Sequence, residues 1–79
     1  MMTNLPNVEI RTHNRKLYFA HYESIPCIFM ESLFNPKDKR VLRFLSDQHL
    51  EIINNWSDTE IEDALKNELN LTFRREYEF

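Results

Sequence analysis

The sequence predicts an α+β fold in which a small, mostly antiparallel sheet of about four strands packs against an αα pair. Three observations carry that expectation. Apolar and polar residues alternate with period two between Val8 and Tyr22, helix-capping serines stand in close succession at Ser46 and Ser57, and a second period-two run closes the chain from Leu71 to Phe79. Strands early, helices late and a final strand describe a sheet covered on one side.

The elements follow in order. Val8, Ile10 and Thr12 alternate with Glu9, Arg11 and His13, then Leu17, Phe19 and His21 alternate with Tyr18, Ala20 and Tyr22. These are two strands of a hairpin, with Asn14-Arg15 between them at turn spacing. In that register Val8, Ile10, Thr12, Leu17, Phe19 and His21 share the buried face. Residues 24–34 admit two readings. Ser24 can cap a short helix with Pro26 in its first turn and Ile25, Phe29 and Leu33 on one stripe, whereas the run Cys27-Ile28-Phe29-Met30 also suits a buried strand; we prefer the helix. Asn35-Pro36 ends the segment, and Val41 to Leu45 is the third strand of the expected sheet.

Ser46 precedes Leu50, Ile53 and Trp56 at helical spacing. Ser57 and Glu60 form a capping box ahead of Ile61, Ala64, Leu65 and Leu69. Asn67 or Asn70 is the expected stop. Leu71, Phe73, Arg75, Tyr77 and Phe79 then alternate against Thr72, Arg74, Glu76 and Glu78, which predicts a C-terminal strand with Leu71, Phe73 and Tyr77 in the core.

Composition limits the chemistry. With 79 residues, 42% of them hydrophobic and including six Phe, three Tyr and one Trp, the chain has room for a single domain, 1–79, with an adequate core. Glycine is absent, although average usage would supply about five or six. Phosphate-cradling loops, the dinucleotide fingerprint and the nucleophile elbow all need glycine, so the sequence excludes each of them. The turns are expected to rely on the eight asparagines and three prolines. No apolar run approaches the length of a membrane span, and Met1 to Pro6 has neither the basic start nor the apolar middle of a secretory signal, so the expected location is cytoplasmic. The triplets Asn55-Trp56-Ser57 and Asn70-Leu71-Thr72 then carry no meaning as glycosylation acceptors. The lone Cys27 cannot form an internal disulfide and fits a small buried hydrophobe.

The net charge of −3 hides an uneven distribution. Residues 1–45 are basic on balance, while residues 46–70 set Asp47, Glu51, Asp58, Glu60, Glu62, Asp63 and Glu68 against Lys66 alone. Acidic residues complement the start of a helix and solvate its surface, which accounts for part of this block. The functional expectation is that Glu51, Asp58, Glu60, Glu62 and Asp63 form a partner-binding face for a basic surface. The alternative site is a nucleic-acid surface made of Arg11, Arg15, Lys16 and Tyr18 on the outer side of the hairpin, with Lys37, Lys39, Arg40 and Arg43 nearby in sequence. A pI near 5.5 disfavours direct nucleic-acid binding.

His13, His21, His49 and Cys27 show no metal-ligand spacing, and no metal or cofactor is expected. Cys27 with His21 or His49 is the one conceivable nucleophilic dyad, but its apolar run should hold the thiol protonated, and convex carboxylates make no acid-base pocket. The expectation is therefore not an enzyme but a stand-alone interaction module. Within that class we favour an inhibitor from a phage or other mobile element that blocks a basic nucleic-acid-handling host protein, its acidic helices standing in for phosphate. The alternatives are a small nucleic-acid-binding domain using the basic hairpin, and a non-catalytic subunit or antitoxin-like partner. A homodimer through a strand edge is a further expectation, because a short open sheet leaves two edges.

Overall fold

In the computed structural model, which describes residues 4–12 and 14–77, the elements run β1 (Glu9–Arg11), β2 (Arg15–Tyr22), β3 (Ile25–Ser32), β4 (Lys39–Phe44), α1 (Asp47–Ile53) and α2 (Asp58–Tyr77). The strands form one antiparallel sheet in the order β1-β2-β3-β4, so each strand pairs with its neighbour in sequence. The α+β fold stands, with all four strands ahead of the two helices.

The β1–β2 hairpin pairs in a different register from the one the sequence implies. A two-residue turn at Asn14-Arg15 would set Arg11 opposite Tyr18, yet Arg11 lies opposite Lys16 and Ile10 opposite Leu17, with the Thr12 amide donating to the Arg15 carbonyl at 2.9 Å. The slip is an even number of residues, so every side chain keeps its face. Ile10 and Leu17 are buried, and Val8 and Phe19 pack against the same core. His13 lies outside the described residues.

Residues 25–32 form strand β3, where we preferred a helix. β3 is hydrogen-bonded to β2 on one side and β4 on the other, and its residues Cys27 to Met30 are buried whichever face of the sheet they take, so this interior strand reads as a continuous apolar run. Ile28 and Met30 face the helices, while Cys27 and Phe29 lie on the other side of the sheet. Ser24 caps nothing. It shares a two-residue loop with Glu23 between the paired Tyr22 and Ile25, and both loop residues have positive φ, 50° at Glu23 and 69° at Ser24. That is the hand a tight hairpin requires, reached here without Gly or Asn. The β3–β4 loop does use the expected residues: Asn35 Oδ1 accepts from the Lys37 amide at 3.2 Å, and the Asn35 carbonyl accepts from the Asp38 amide at 2.9 Å.

Both helix starts match the sequence. Ser46 Oγ accepts the His49 amide at 3.1 Å, and Ser57 and Glu60 exchange backbone-to-side-chain hydrogen bonds at 3.3 Å in a full capping box. The expected C-terminal strand is absent, because α2 runs through Asn67 and Asn70 and on to Tyr77. No Gly or Pro interrupts residues 58–77, and Ile61, Leu65, Leu69 and Thr72 keep the buried stripe of a helix over its whole length. Leu71, expected inside, is 40% exposed; Phe73 is only partly buried against the core. The Tyr77 side chain, Glu78 and Phe79 lie outside the described residues.

Ile10, Leu17, Ile28 and Met30 from the sheet meet Leu50 and Ile53 of α1 and Ile61, Leu65 and Leu69 of α2 in one core. Each fully buried leucine here contributes about 1.5–3 kcal/mol through loss of apolar surface. The β2–β3 turn supplies a test. Placing two ordinary residues in the left-handed region costs about 1–2 kcal/mol each, so Glu23→Asn with Ser24→Gly should raise the denaturant midpoint with an unchanged m-value, by about 1–2 kcal/mol in total. A midpoint that stays put or falls would show that the turn is not the strained element described.

Candidate functional site

The residues nominated from sequence fall on opposite sides of the molecule. Glu51 projects from α1; Asp58 and Glu60 occupy the first turn of α2, followed by Glu62 and Asp63. All but the half-buried Glu62 are exposed. Glu60 is partly committed to the capping box through Ser57. Glu51, Asp58, Glu62 and Asp63 make no ion pair with any cation among the described residues. Beside them, Trp56, Glu60, Asp63, Ala64 and Asn67 line a shallow depression of about 260 Å³.

The acidic residues farther along α2 behave differently. Glu68 pairs with Arg43, and Glu76 with both Arg40 and Arg15, the latter at 3.6 Å. These pairs lie on the sheet-facing side of α2 and tie it to β2 and β4. The split follows from spacing, since Glu68 and Glu76 fall near the Leu65–Leu69–Thr72 stripe at 3.6 residues per turn, whereas Glu60 and Asp63 fall away from it.

The basic candidates are divided as well. Arg11, Lys16 and Tyr18 share the sheet face turned away from the helices, but Arg15 does not. Arg15 has the parity of Leu17, so it points to the helix side, where its guanidinium lies 5.0 Å from the Phe73 ring and pairs with Glu76. On the open face the Tyr18 hydroxyl donates to Glu31 Oε1 at 3.0 Å, and Lys16 Nζ sits 3.6 Å from the same carboxylate and 5.1 Å from the Tyr18 ring centroid.

Lys39, named from sequence beside the basic hairpin, joins this face, as do Tyr22, Phe29 and Phe44, which were not nominated from sequence. Tyr18 stacks on Phe29 at 5.7 Å, Tyr22 meets Phe29 edge-on at 6.4 Å, and Lys39 Nζ lies 5.7 Å from the Phe29 centroid. The signal was present. Tyr18 and Tyr22 have one parity on β2, and a strand reading of 24–34 would have put Phe29 beside them; the preferred helix hid it.

Cys27 is fully buried, its Sγ–H donates to the Ala20 carbonyl at 3.3 Å, and burial pushes the thiol pKa up, all of which oppose thiolate formation. His21 Nε2 is shielded from solvent with no hydrogen-bond partner among the described residues. Among the described residues no group of three or more His, Cys, Asp or Glu side chains is placed to hold a metal ion, and no helix is long and apolar enough to cross a membrane.

Burial first, then the hydrogen bond and charge of Glu31, push the Tyr18 pKa up to about 12. A phenol ionises near 10 in the unfolded chain, so the folded state favours the protonated form. That stabilisation is complete below pH ~10 and is lost as pH rises through about 12. Tyrosinate absorbance should therefore show one late-titrating tyrosine that Tyr18→Phe removes, and the variant's stability should depend less on pH across that window. Loss of an ordinary, early-titrating tyrosine in Tyr18→Phe would contradict the Tyr18–Glu31 contact. The chain matches no protein-family model, no curated protein and no solved structure.

Proposed function

We propose that the chain is a non-catalytic protein-interaction module that docks its α1–α2 acidic pole on a basic surface of a larger partner. The observation that carries this reading is the division of the carboxylates. Glu9, Glu31, Glu68 and Glu76 are matched to the chain's own cations, while Glu51, Asp58, Glu62 and Asp63 have no cation partner among the described residues and fall together on the helices, unlike Glu23 and Asp38, which are likewise without an ion pair but stand singly in loops. Unpaired surface carboxylates of one sign steer a basic partner and fix its orientation. The half-buried Trp56 beside Glu60 and Asp63 adds the aromatic anchor that interfaces favour.

If the partner is a nucleic-acid-handling protein, the carboxylates occupy the place of phosphates and the module acts as an inhibitor. Pairing of two copies through a strand edge is the weaker mode. β1 has only three residues, and β4 carries Lys39, Arg40, Arg43 and a register shift, all of which discourage edge-to-edge addition.

The test uses Glu51→Lys with Asp63→Lys, which spares the capping box and should change stability by less than about 0.5 kcal/mol per site. Wild-type and variant baits are compared for salt-sensitive partners drawn from the same extract, and the recovered partner is then titrated against both. Affinity should fall about tenfold or more in the variant, mostly through the association rate, with a flatter salt dependence. Equal affinity and equal salt slope would reduce the acidic pole to a solvated surface.

A further inference from the structure

The sheet face turned away from the helices sorts charge from aromatic surface. Across β1 to β4, one cross-strand row is Arg11, Lys16, Glu31 and Lys39, and the next is Glu9, Tyr18, Phe29 and Val41. Ala20, Cys27 and Phe44 follow, and Tyr22 and Ile25 stand at the hairpin end. A row with three cations and one carboxylate thus borders an aromatic field. Phe29, 6% exposed, is its floor, whereas Tyr22 at 48% and Phe44 at 56% keep ring surface free.

The rings of Tyr22 and Phe44 lie 6.5 Å apart at 54°, beside a cleft of about 510 Å³ bounded also by Phe29, Val41, Lys39 and Arg40. Among the described residues no carboxylate lines this cleft. Glu9 and Glu31 engage Arg11 and Lys16 farther along the face, but Lys39 has no carboxylate partner among the described residues.

We infer that this open face binds single-stranded nucleic acid, with bases stacked on Tyr22 and Phe44 and phosphates held at Lys39 and along the Lys16–Arg11 row. Free aromatic faces beside a cationic track are the chemistry that single strands require: every base offers a π-face, and every phosphate needs a cation. A four-stranded sheet with surface aromatics presents both at once to unstacked bases. A duplex keeps its bases stacked and paired, so it could use the cations but not the rings. An acidic peptide would likewise satisfy the cations and leave the rings idle. The overall acidity is no obstacle, because the carboxylate cluster of Glu51, Asp58, Glu62 and Asp63 sits on the helices across the sheet, while Glu23 and Asp38, which adjoin Tyr22 and Lys39 in the loops, stand singly and do not line the cleft. This inference is independent of the acidic pole.

The experiment is fluorescence anisotropy of a labelled oligo-dT of about ten nucleotides with the full chain, at low and rising salt. Binding is expected below about 100 µM at low salt, with log K falling against log salt at a slope near −2, the value for about three phosphate contacts on a single strand. Phe44→Ala and Tyr22→Ala should each weaken it about tenfold, and Lys39→Glu should weaken it and flatten the slope, with circular dichroism showing each variant folded at the assay temperature. Lys39→Glu, at an exposed site, keeps the test intact should a ring variant fail to fold. No anisotropy change up to about 100 µM at low salt overturns the inference. So does binding that ignores both ring variants, or ring-dependent binding of a labelled oligo-glutamate as tight as that of oligo-dT, which would assign the face to an acidic protein partner.

Discussion

Everything in this molecule depends on the covering of one face of a four-stranded sheet and not the other. Two helices bury Ile10, Leu17, Ile28 and Met30 against Leu50, Ile53, Ile61, Leu65 and Leu69, and that single layer contact is the core. Among the described residues no third layer covers the far side. The interior strand nevertheless needs both faces shielded. Cys27 and Phe29 obtain their burial from neighbouring side chains: Tyr18 and Tyr22 pack on Phe29, Lys39 lies across its ring, and Phe44 stands opposite Cys27 in the register. The exposed aromatics are thus a consequence of the architecture before they are a candidate binding surface.

The same asymmetry organises the charges. Arg15, Arg40 and Arg43 have helix-side parity on β2 and β4, and Glu68 and Glu76 meet them from α2. These partly exposed pairs add about 0–1 kcal/mol each, so their larger effect is to fix where α2 lies on the sheet. Glu51 of α1 and Asp58, Glu62 and Asp63 of α2 have no such counterpart among the described residues. Asp58 and Glu60 suit the positive end of the helix dipole there. The outcome is an acidic pole on the helical side and a cationic, aromatic face on the other, in a chain whose net charge of −3 reports neither.

What could be read in the sequence was whatever local rules decide. Both helix starts were legible because a capping serine satisfies the amide three residues on, joined at Ser57 by the Glu60 carboxylate, and the buried side of the β1–β2 hairpin was legible because parity survives an even register slip. Residues 25–32 were not, since an apolar run beside a serine and a proline fits two periods equally well, and only pairing on both edges decides between them. The C-terminal segment misled for a related reason. Leu71, Phe73 and Tyr77 alternate like a strand, but Leu65, Leu69 and Thr72 continue a helical stripe through the same residues, and an uninterrupted helix already packed on the core prevails. Of the sites, the acidic residues were legible as a block of charge. The aromatic face was not, because Tyr22, Phe29 and Phe44 come together only once β3 is a strand.

The one-sided sheet is tested most directly by solvent paramagnetic relaxation in NMR, with an inert soluble relaxation agent and assigned side-chain resonances. The account predicts strong relaxation at Tyr22, Ile25 and Phe44, and strong protection at Leu17, Leu50 and Leu65. Protection of Tyr22 and Phe44 equal to that of Leu17 would mean that something covers the second face, and would contradict both the architecture and the binding surfaces drawn from it.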